Sequence, residues 1–475
     1  MICCAVAPIC YPAPRSWCLP SLYRQPDLAR VRQHKGNPMS AIITGDRLRL
    51  FINRLRERLW LKPLAICLLS IVNVFVAKLA DDSGLAEFVP KISADSIESL
   101  LSVMASSMLV IATFAVGSMV SAYASASNTA TPRSFRLVIA DDVSQNALST
   151  FIGAFIFSVV ALSAVKNDYF LSAGLFTLFV LMAAVFSIVI LTFLRWFDRI
   201  ARLGRLGMTI GVVEQAAAHA LKRRRQAPTL RGVAQRSQDP LPLGQAVFAP
   251  TVGYVQHVDI AALQGYAEKG RGRIVVMALP GTFAAPGQPL AYVSGTEGQP
   301  AIGREQVIQA FLIGHDRIFE EDPRFGLVVL SEIAGRALSP GINDPGTAIE
   351  VIGTLVRLFV LWNESGGDDD EDAPRFDRVE VPELALADLF DDAFTAIARD
   401  GAGVIEVAVR LQKALQSLAL IGDTAMREAA LYHGSLALAR AEKALDLPED
   451  VATLRAVAAL VQSAAYEKPE ARCGR

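Results

Sequence analysis

The chain has 475 residues, room for a membrane bundle with one or two soluble domains, and 52% of it is hydrophobic against 20% charged. With 46 Lys and Arg against 47 Asp and Glu, the net charge is −1. That leaves no global basic field and excludes nucleic acid as a partner.

Residues 1–38 are rich in Pro and Arg and carry Cys3, Cys4, Cys10 and Cys18. They hold no apolar stretch followed by a cleavage site, so they read as an unstructured extension. No cysteine pair has zinc-finger spacing, and His34 is the nearest imidazole. Met39 opens a cleaner sequence, MSAIITGDRLRLFINRLRERLW. It reads as a basic amphipathic lead-in, with Met39 expected as the true start.

Four apolar runs follow. Residues 99–132 contain no Asp, Glu, Lys, Arg or His; 143–165 and 169–194 are also uncharged, and a weaker run covers 63–77 with Asn73 inside it. About 20 mainly apolar residues are enough to cross a bilayer as a helix. Spans are expected at about 60–79, 100–123, 146–166 and 170–194, within a membrane region 39–205. Arg47, Arg49, Arg54, Arg56, Arg58, Lys62, Arg133, Arg136, Arg195, Arg199, Arg202 and Arg205 flank one set of span ends, against Lys78, Lys91 and Lys166 at the other. The excess of basic residues on the cytoplasmic side sets orientation, so both termini are expected in the cytoplasm of a bacterial cell, with the protein in the inner membrane. Four spans satisfy this asymmetry; three or five do not.

The second span carries Ser102, Ser106, Thr113, Gly117 and Ser121 on nearby faces. Small residues let helices approach closely, and the same stripe would line a wet path in an oligomer. Ser149 and Gly153 form a similar pair in the third span. No Asp, Glu, Arg or His lies mid-span, which argues against a proton pump or ion-coupled carrier.

Residues 196–222 read as one helix with Arg on its polar face, and the linker beginning at Arg223–Arg225 runs to Leu243, giving a helix-and-linker region 206–243. Residues 244–300 hold short β-prone runs, VGYVQHVD, RIVVMAL and PLAYV, separated by Gly and Pro, and read as a small β domain. GTFAAPGQPLAYV is similar to a lipoyl-like turn and strand, but the attachment Lys is missing, so no swinging prosthetic group is expected. Residues 301–363 read as helical, beginning with REQVIQAFLIGHDRIFEED. The region 364–382 reads as an acidic linker, because Ala373 and Val379 replace the Gly and Glu of a calcium loop after Asp368–Asp372. Residues 383–465 form a final Ala- and Leu-rich helical set, and 466–475 a tail.

Within the 301–363 region, SPGINDP joins two helices. Pro340 cannot continue the first, Gly341 can supply a positive φ, and Asp344 with Pro345 starts the second as N-cap and first residue. Caps and turns account for every residue type there but Asn343. The other reading puts Ser339, Asn343 and Asp344 in a ligand or subunit contact, with Pro340, Gly341 and Pro345 as the frame. His315 falls on the helical face of Phe311 and Ile318, as a core or cap histidine or as a pH-sensing one. Arg324 and Arg336 are placed to pair with Glu320 or Glu332. His257 and His433 have no metal-ligand partner at helical spacing, and Gly270 and Gly272 lack the third glycine of a dinucleotide loop. No HExxH, P-loop or G-x-S-x-G occurs, so no enzyme, metal site or cofactor is expected.

The stretch FEEDPRFGLVVLSEIAGRALSPGINDPGTA (319–348) resembles the signature of a bacterial membrane-protein family, domain of unknown function 2254. PRSFRLVIADDVSQNALSTFIGAFIFSV (132–159), GYVQHVDIAALQGYA and GTFAAPGQPLAYV agree with it, so the resemblance covers roughly Ser40 to Trp362. Gly346 departs from it, where a bulkier residue is expected. The resemblance implies a four-span membrane protein with a cytoplasmic domain, and no known reaction. The fold expected is mainly α: a four-helix transmembrane bundle, then an α+β region. The function expected is a non-enzymatic oligomeric channel-like protein, with the second span lining the pore and the cytoplasmic part as gate or vestibule. The alternative is a membrane-anchored sensor or scaffold whose cytoplasmic domain binds a ligand or partner protein. The expected partners are the lipid bilayer and further copies of the chain.

Overall fold

The computed structural model describes residues 61–79, 81, 89–129, 131–139, 142–202, 205–235, 244–295, 302–364 and 374–466. The expectations for the extension, Met39, the basic lead-in, the N-terminal cysteines and the Asp368–Asp372 run lie outside these residues.

The apolar runs form α1 (Leu61–Leu79), α2 (Ala94–Thr129), α4 (Asp142–Lys166) and α5 (Ser172–Arg202), with a five-residue α3 (Phe135–Ile139) between α2 and α4. α2 and α5 outrun the expected spans because charged residues are tolerated in the turns past the apolar core. Glu98 of α2 meets Lys166 of α4 at 2.9 Å. At the same end Asp81 accepts the backbone N–H groups of Leu171 and Gly174, at 2.9 and 2.6 Å, and so ties the end of α1 to the start of α5. α4 is the central helix, packed against α1, α2 and α5. Phe151 and Phe157 on α4 and Trp196 on α5 are fully buried, with Trp196 edge-on to Phe151 at 6.1 Å.

By length and apolarity, α2, α4, α5 and a later helix, α10, qualify as membrane spans, whereas the apolar part of α1 covers only Pro63–Leu79. At 1.5 Å per residue, such a helix falls a few ångströms short of the roughly 30 Å of hydrocarbon.

The stretch expected as one helix over 196–222 is divided between α5 and α6 (Leu206–Gln226). Beyond it come β1 (Gly232–Ala234), β2 (Gln245–Phe248), β3 (Gly253–Val258), α7 (Ile260–Lys269), β4 (Arg273–Val276), β5 (Phe283–Ala284), β6 (Pro289–Ser294), α8 (Arg304–Gln309) and β7 (Phe311–Gly314). The helical part follows with α9 (Pro323–Ala337), α10 (Pro345–Asn363), β8 (Phe376–Val381), α11 (Leu386–Asp400), α12 (Ile405–Ile421), α13 (Thr424–Ala444) and α14 (Pro448–Tyr466).

The strands make a five-stranded sheet, β1-β8-β4-β6-β2, and a three-stranded one, β5-β3-β7. Both sheets draw on segments outside 244–300. β8 falls where the sequence reads as acidic linker, and Val379, the failed calcium-loop position, is a fully buried strand residue. FLIG is also a strand, not helix: Val258 pairs with Phe311 and Tyr254 with Gly314. The apolar run is too short to decide between helix and strand by period alone, and the partner β3 decides it. A second core joins α6, α9, α10, α11, α12 and α13, centred on Phe359, Phe390 and Phe394, whose ring centroids lie 4.4–5.5 Å apart.

Candidate functional site

At the SPGINDP junction, α9 ends at Ala337 and the chain turns back on itself. Ile342 and Asn343 donate their N–H groups to the Ser339 carbonyl at 3.0 and 2.9 Å, and Asp344 donates its own to Ala337 at 2.8 Å. The Ser339 hydroxyl donates to the Arg336 carbonyl at 2.6 Å. Asp344 caps α10 as expected, accepting from the Thr347 N–H at 3.1 Å and the Thr347 hydroxyl at 2.6 Å, with Pro345 in the first turn. These two bonds hold the Asp344 carboxyl below the usual carboxylate range. Gly346 sits beside this cap, and a Cβ there would stand 3.3 Å from the Asp344 carboxylate. One expectation is corrected: Gly341 does not take the positive φ. Asn343 does, at 48°, and Asn is one of the few side chains that enters this region readily. Pro340, Gly341 and Asn343 are exposed.

On α2, Ser102, Ser106, Thr113, Gly117 and Ser121 all lie on the face that the chain's own bundle leaves uncovered. The Ser106 and Thr113 hydroxyls donate to their own helix, to the Ser102 and Leu109 carbonyls. Nothing stands within 4 Å of a Cβ built at Gly117. Gly153 is different: a Cβ there would meet Ile66 Cγ2 at 2.4 Å, so it permits the close approach of α4 and α1.

The residues that sequence reasoning missed lie where the α2–α4 connection meets the region that follows the bundle. Phe135 of α3 packs edge-on against Tyr123 of α2 at 6.1 Å, while Leu137, two residues on, packs against the core that α6 shares with α9–α13. Arg133 bonds Glu332 of α9 at 2.6 Å, and Arg136 bonds Asp316 just beyond β7. The expected pairing of Glu332 with Arg324 is therefore replaced. Arg324 turns instead to α11, bonding Asp388 at 2.9 Å and also Asp392. His315, the residue after β7, is exposed and lines a cleft of 290 Å³ between the connection and the region that follows the bundle. Its helical-face reading falls with that of FLIG.

Behind the cleft is a buried ionic group. Arg317 grips Asp322 through Nε and a terminal nitrogen, at 2.6 and 3.0 Å. Asp322 in turn caps α9 by accepting the N–H groups of Arg324 and Phe325. Burial pushes the Asp322 carboxyl up, against the pull of Arg317. Gly281, at φ 93°, brings its backbone so near that a Cβ would meet the Asp322 carboxylate. His257 Nδ1 lies 2.8 Å from Glu321. Arg224 of α6 is 4% exposed, and among the described residues its two terminal nitrogens have no hydrogen-bond partner. Burial lowers its pKa to about 10, opposed by the charges of Glu321 and Asp322. One signal for this group was in the sequence: Asp322–Pro323 opens α9 by the same cap-and-proline device that Asp344–Pro345 uses to open α10.

Comparison with known proteins agrees that this is a membrane protein. The family model described as "Predicted membrane protein (DUF2254)" matches residues 56–417, and the chain belongs to that family. It is 32% identical over 168 residues to the uncharacterized proteins MT1328 of Mycobacterium tuberculosis (strain CDC 1551 / Oshkosh) and Mb1321c of Mycobacterium bovis. That match covers 34% of this chain, and the chain spans only 30% of those relatives' length. No solved structure matches the chain.

Proposed function

We propose that the protein is a non-enzymatic membrane-anchored sensor whose soluble region is mechanically coupled to the bundle through the α2–α4 connection. The observation that carries this reading is the double anchorage of α3. Phe135 packs on the bundle, Leu137 packs on the soluble core, and Arg133 and Arg136 pair with Glu332 and Asp316. A change of state in the soluble region then reaches the ends of α2 and α4 through packed side chains. The uneven distribution of flanking arginines supports a cytoplasmic soluble region in a bacterial inner membrane. Hydrogen exchange on the detergent-solubilised chain tests the coupling. Arg133→Gln/Arg136→Gln is expected to speed exchange both in the last turns of α2 and in residues 315–332. Changes confined to 131–139 would defeat the reading.

A second reading, the oligomeric channel, is favoured by one observation: the small and hydroxyl-bearing stripe of α2 faces outward, where further copies would meet it. Cysteines at positions 106, 113 and 117, in a background without other cysteines, test it. Labelling by a membrane-impermeant thiol reagent supports a wet path, and protection at all three removes it.

A further inference from the structure

We infer that the cleft at the α2–α4 connection binds the phosphate-bearing headgroup of an anionic phospholipid from the surrounding bilayer. This deepens the sensor reading and rests on the same junction. Three observations carry it. The first is charge: Arg133, Arg136 and Arg317 line the cleft against a single lining carboxylate, Asp316, with the His315 imidazole beside them. The Arg136–Asp316 pair is solvent-exposed at both ends, and in the Arg133–Glu332 pair the arginine is 57% exposed against 30% for its partner. Exposed pairs are weak and exchange readily for a better acceptor, and guanidinium forks match phosphate oxygens. Arg317 stays fixed, held by Asp322 from behind and lying over the Phe325 ring at 5.2 Å.

The second observation is position. Arg133 and Arg136 lie between Thr129, where α2 ends, and Asp142, where α4 begins, so the cleft opens at headgroup depth. α5 ends on this side of the bundle too, with Arg195 and Arg199 in its last turns. Clustered juxtamembrane arginines attract anionic lipid.

The third is the apolar rim. Tyr254 lines the cleft and packs edge-on against Phe283 of β5 at 5.4 Å. Phe283 and the neighbouring Val252 are half exposed, at 48% and 56%. A free phosphate has no use for such a rim, whereas a glycerol backbone and the first methylenes of an acyl chain do. A cleft of 290 Å³ takes a headgroup and leaves the chains outside.

Native mass spectrometry of the full chain released from nanodiscs tests this, comparing phosphatidylglycerol with phosphatidylcholine. The wild-type chain is expected to keep a phosphatidylglycerol adduct at collision energies that strip phosphatidylcholine. Arg133→Gln/Arg136→Gln should lower its occupancy by roughly tenfold, as two charge-assisted contacts are lost. Asp316→Asn, which frees Arg136, should raise occupancy, a change that general misfolding does not produce. Arg455→Gln, on α14, should leave it alone. Equal retention in the double variant, or a fall in Asp316→Asn, overturns the site. Displacement by millimolar inorganic phosphate, with no preference between the lipids, overturns the lipid as its source. The coupling measured by exchange in detergent stands or falls separately.

Discussion

α4 and α10 are both long and apolar enough to cross a bilayer, and each is packed within a core of its own. What differs is the surroundings. α4 is packed against α1, α2 and α5, helices that turn large side chains outward: on α2, Val103, Val110 and Phe114 are each more than 60% exposed. α10 is packed against α6, α9 and α12, and its own charged edge is paired, Arg357 with Glu214 at 2.7 Å. The helices packed on it bury apolar faces against it and carry ion pairs on their outer sides, Arg324 of α9 with Asp388 among them. The lesson is that hydropathy identifies a buried helix, while the second layer decides whether oil or water lies beyond it.

The largest expected effect tests that second layer directly. Leu355→Ala in α10 removes a fully buried side chain and is expected to cost about 2–5 kcal/mol. Val110→Ala, on the outward face of α2, is expected to stay within about 0.5 kcal/mol. Thermal unfolding in detergent, followed by near-UV circular dichroism, reads both. Equal losses would erase the distinction between the two clusters.

Next comes glycine. Gly153→Val drives a side chain into the β-branched Ile66 across the α4–α1 contact, for a loss of about 1–3 kcal/mol. Gly117→Val points into open space and is expected to leave monomer stability unchanged. A shift of oligomeric state in Gly117→Val by native mass spectrometry would move the α2 stripe from lipid face to subunit interface, strengthening the channel reading.

Asp344→Ala removes the α10 cap and is expected to cost about 1 kcal/mol, with Asp344→Asn milder. Because hydrogen bonds from Thr347 hold this carboxyl below its ordinary value of 3.8, its contribution is intact above that value. It is lost as pH falls through the lower folded value. An alanine variant with unchanged unfolding would mean that Pro345 alone sets the start of α10.

How much of this was legible follows from the same contrast. The apolar runs announced α2, α4 and α5, because a span carries its own signature within one segment. Asp344 and Pro345 announced the start of α10 for the same reason. Asn343 did not announce itself, since either it or Gly341 can hold the left-handed turn and only the hydrogen bonds to Ser339 and Ala337 choose. FLIG and FDRVEV became strands because β3 and β4 lie beside them: Val258 pairs with Phe311, 53 residues further on, and Ile274 pairs with Val379, 105 residues further on. The Arg133–Glu332 and Arg136–Asp316 pairs are of that kind too, and nothing local to either partner names the other.

The smallest effect separates the two clusters by pH. His433 of α13 is 3% exposed, with its ring 5.8 Å from that of Phe390. Burial lowers its pKa from the ordinary 6.5; Asp391, 3.5 Å away, opposes this and Arg440 adds to it. The unfolded chain therefore binds this proton more readily than the folded one. Stability from the neutral ring is fully present above pH 6.5 and is lost as pH falls toward the lower folded value. The apparent Tm of the α9–α13 cluster should decline over that window, and His433→Gln should flatten the decline. Among the described residues, the bundle core around Phe151 and Trp196 holds no histidine and should not respond over that window. A decline that survives in His433→Gln would assign the pH sensitivity to another group, and not to Asp322, whose buried carboxyl is pushed up and so gains stability as pH falls.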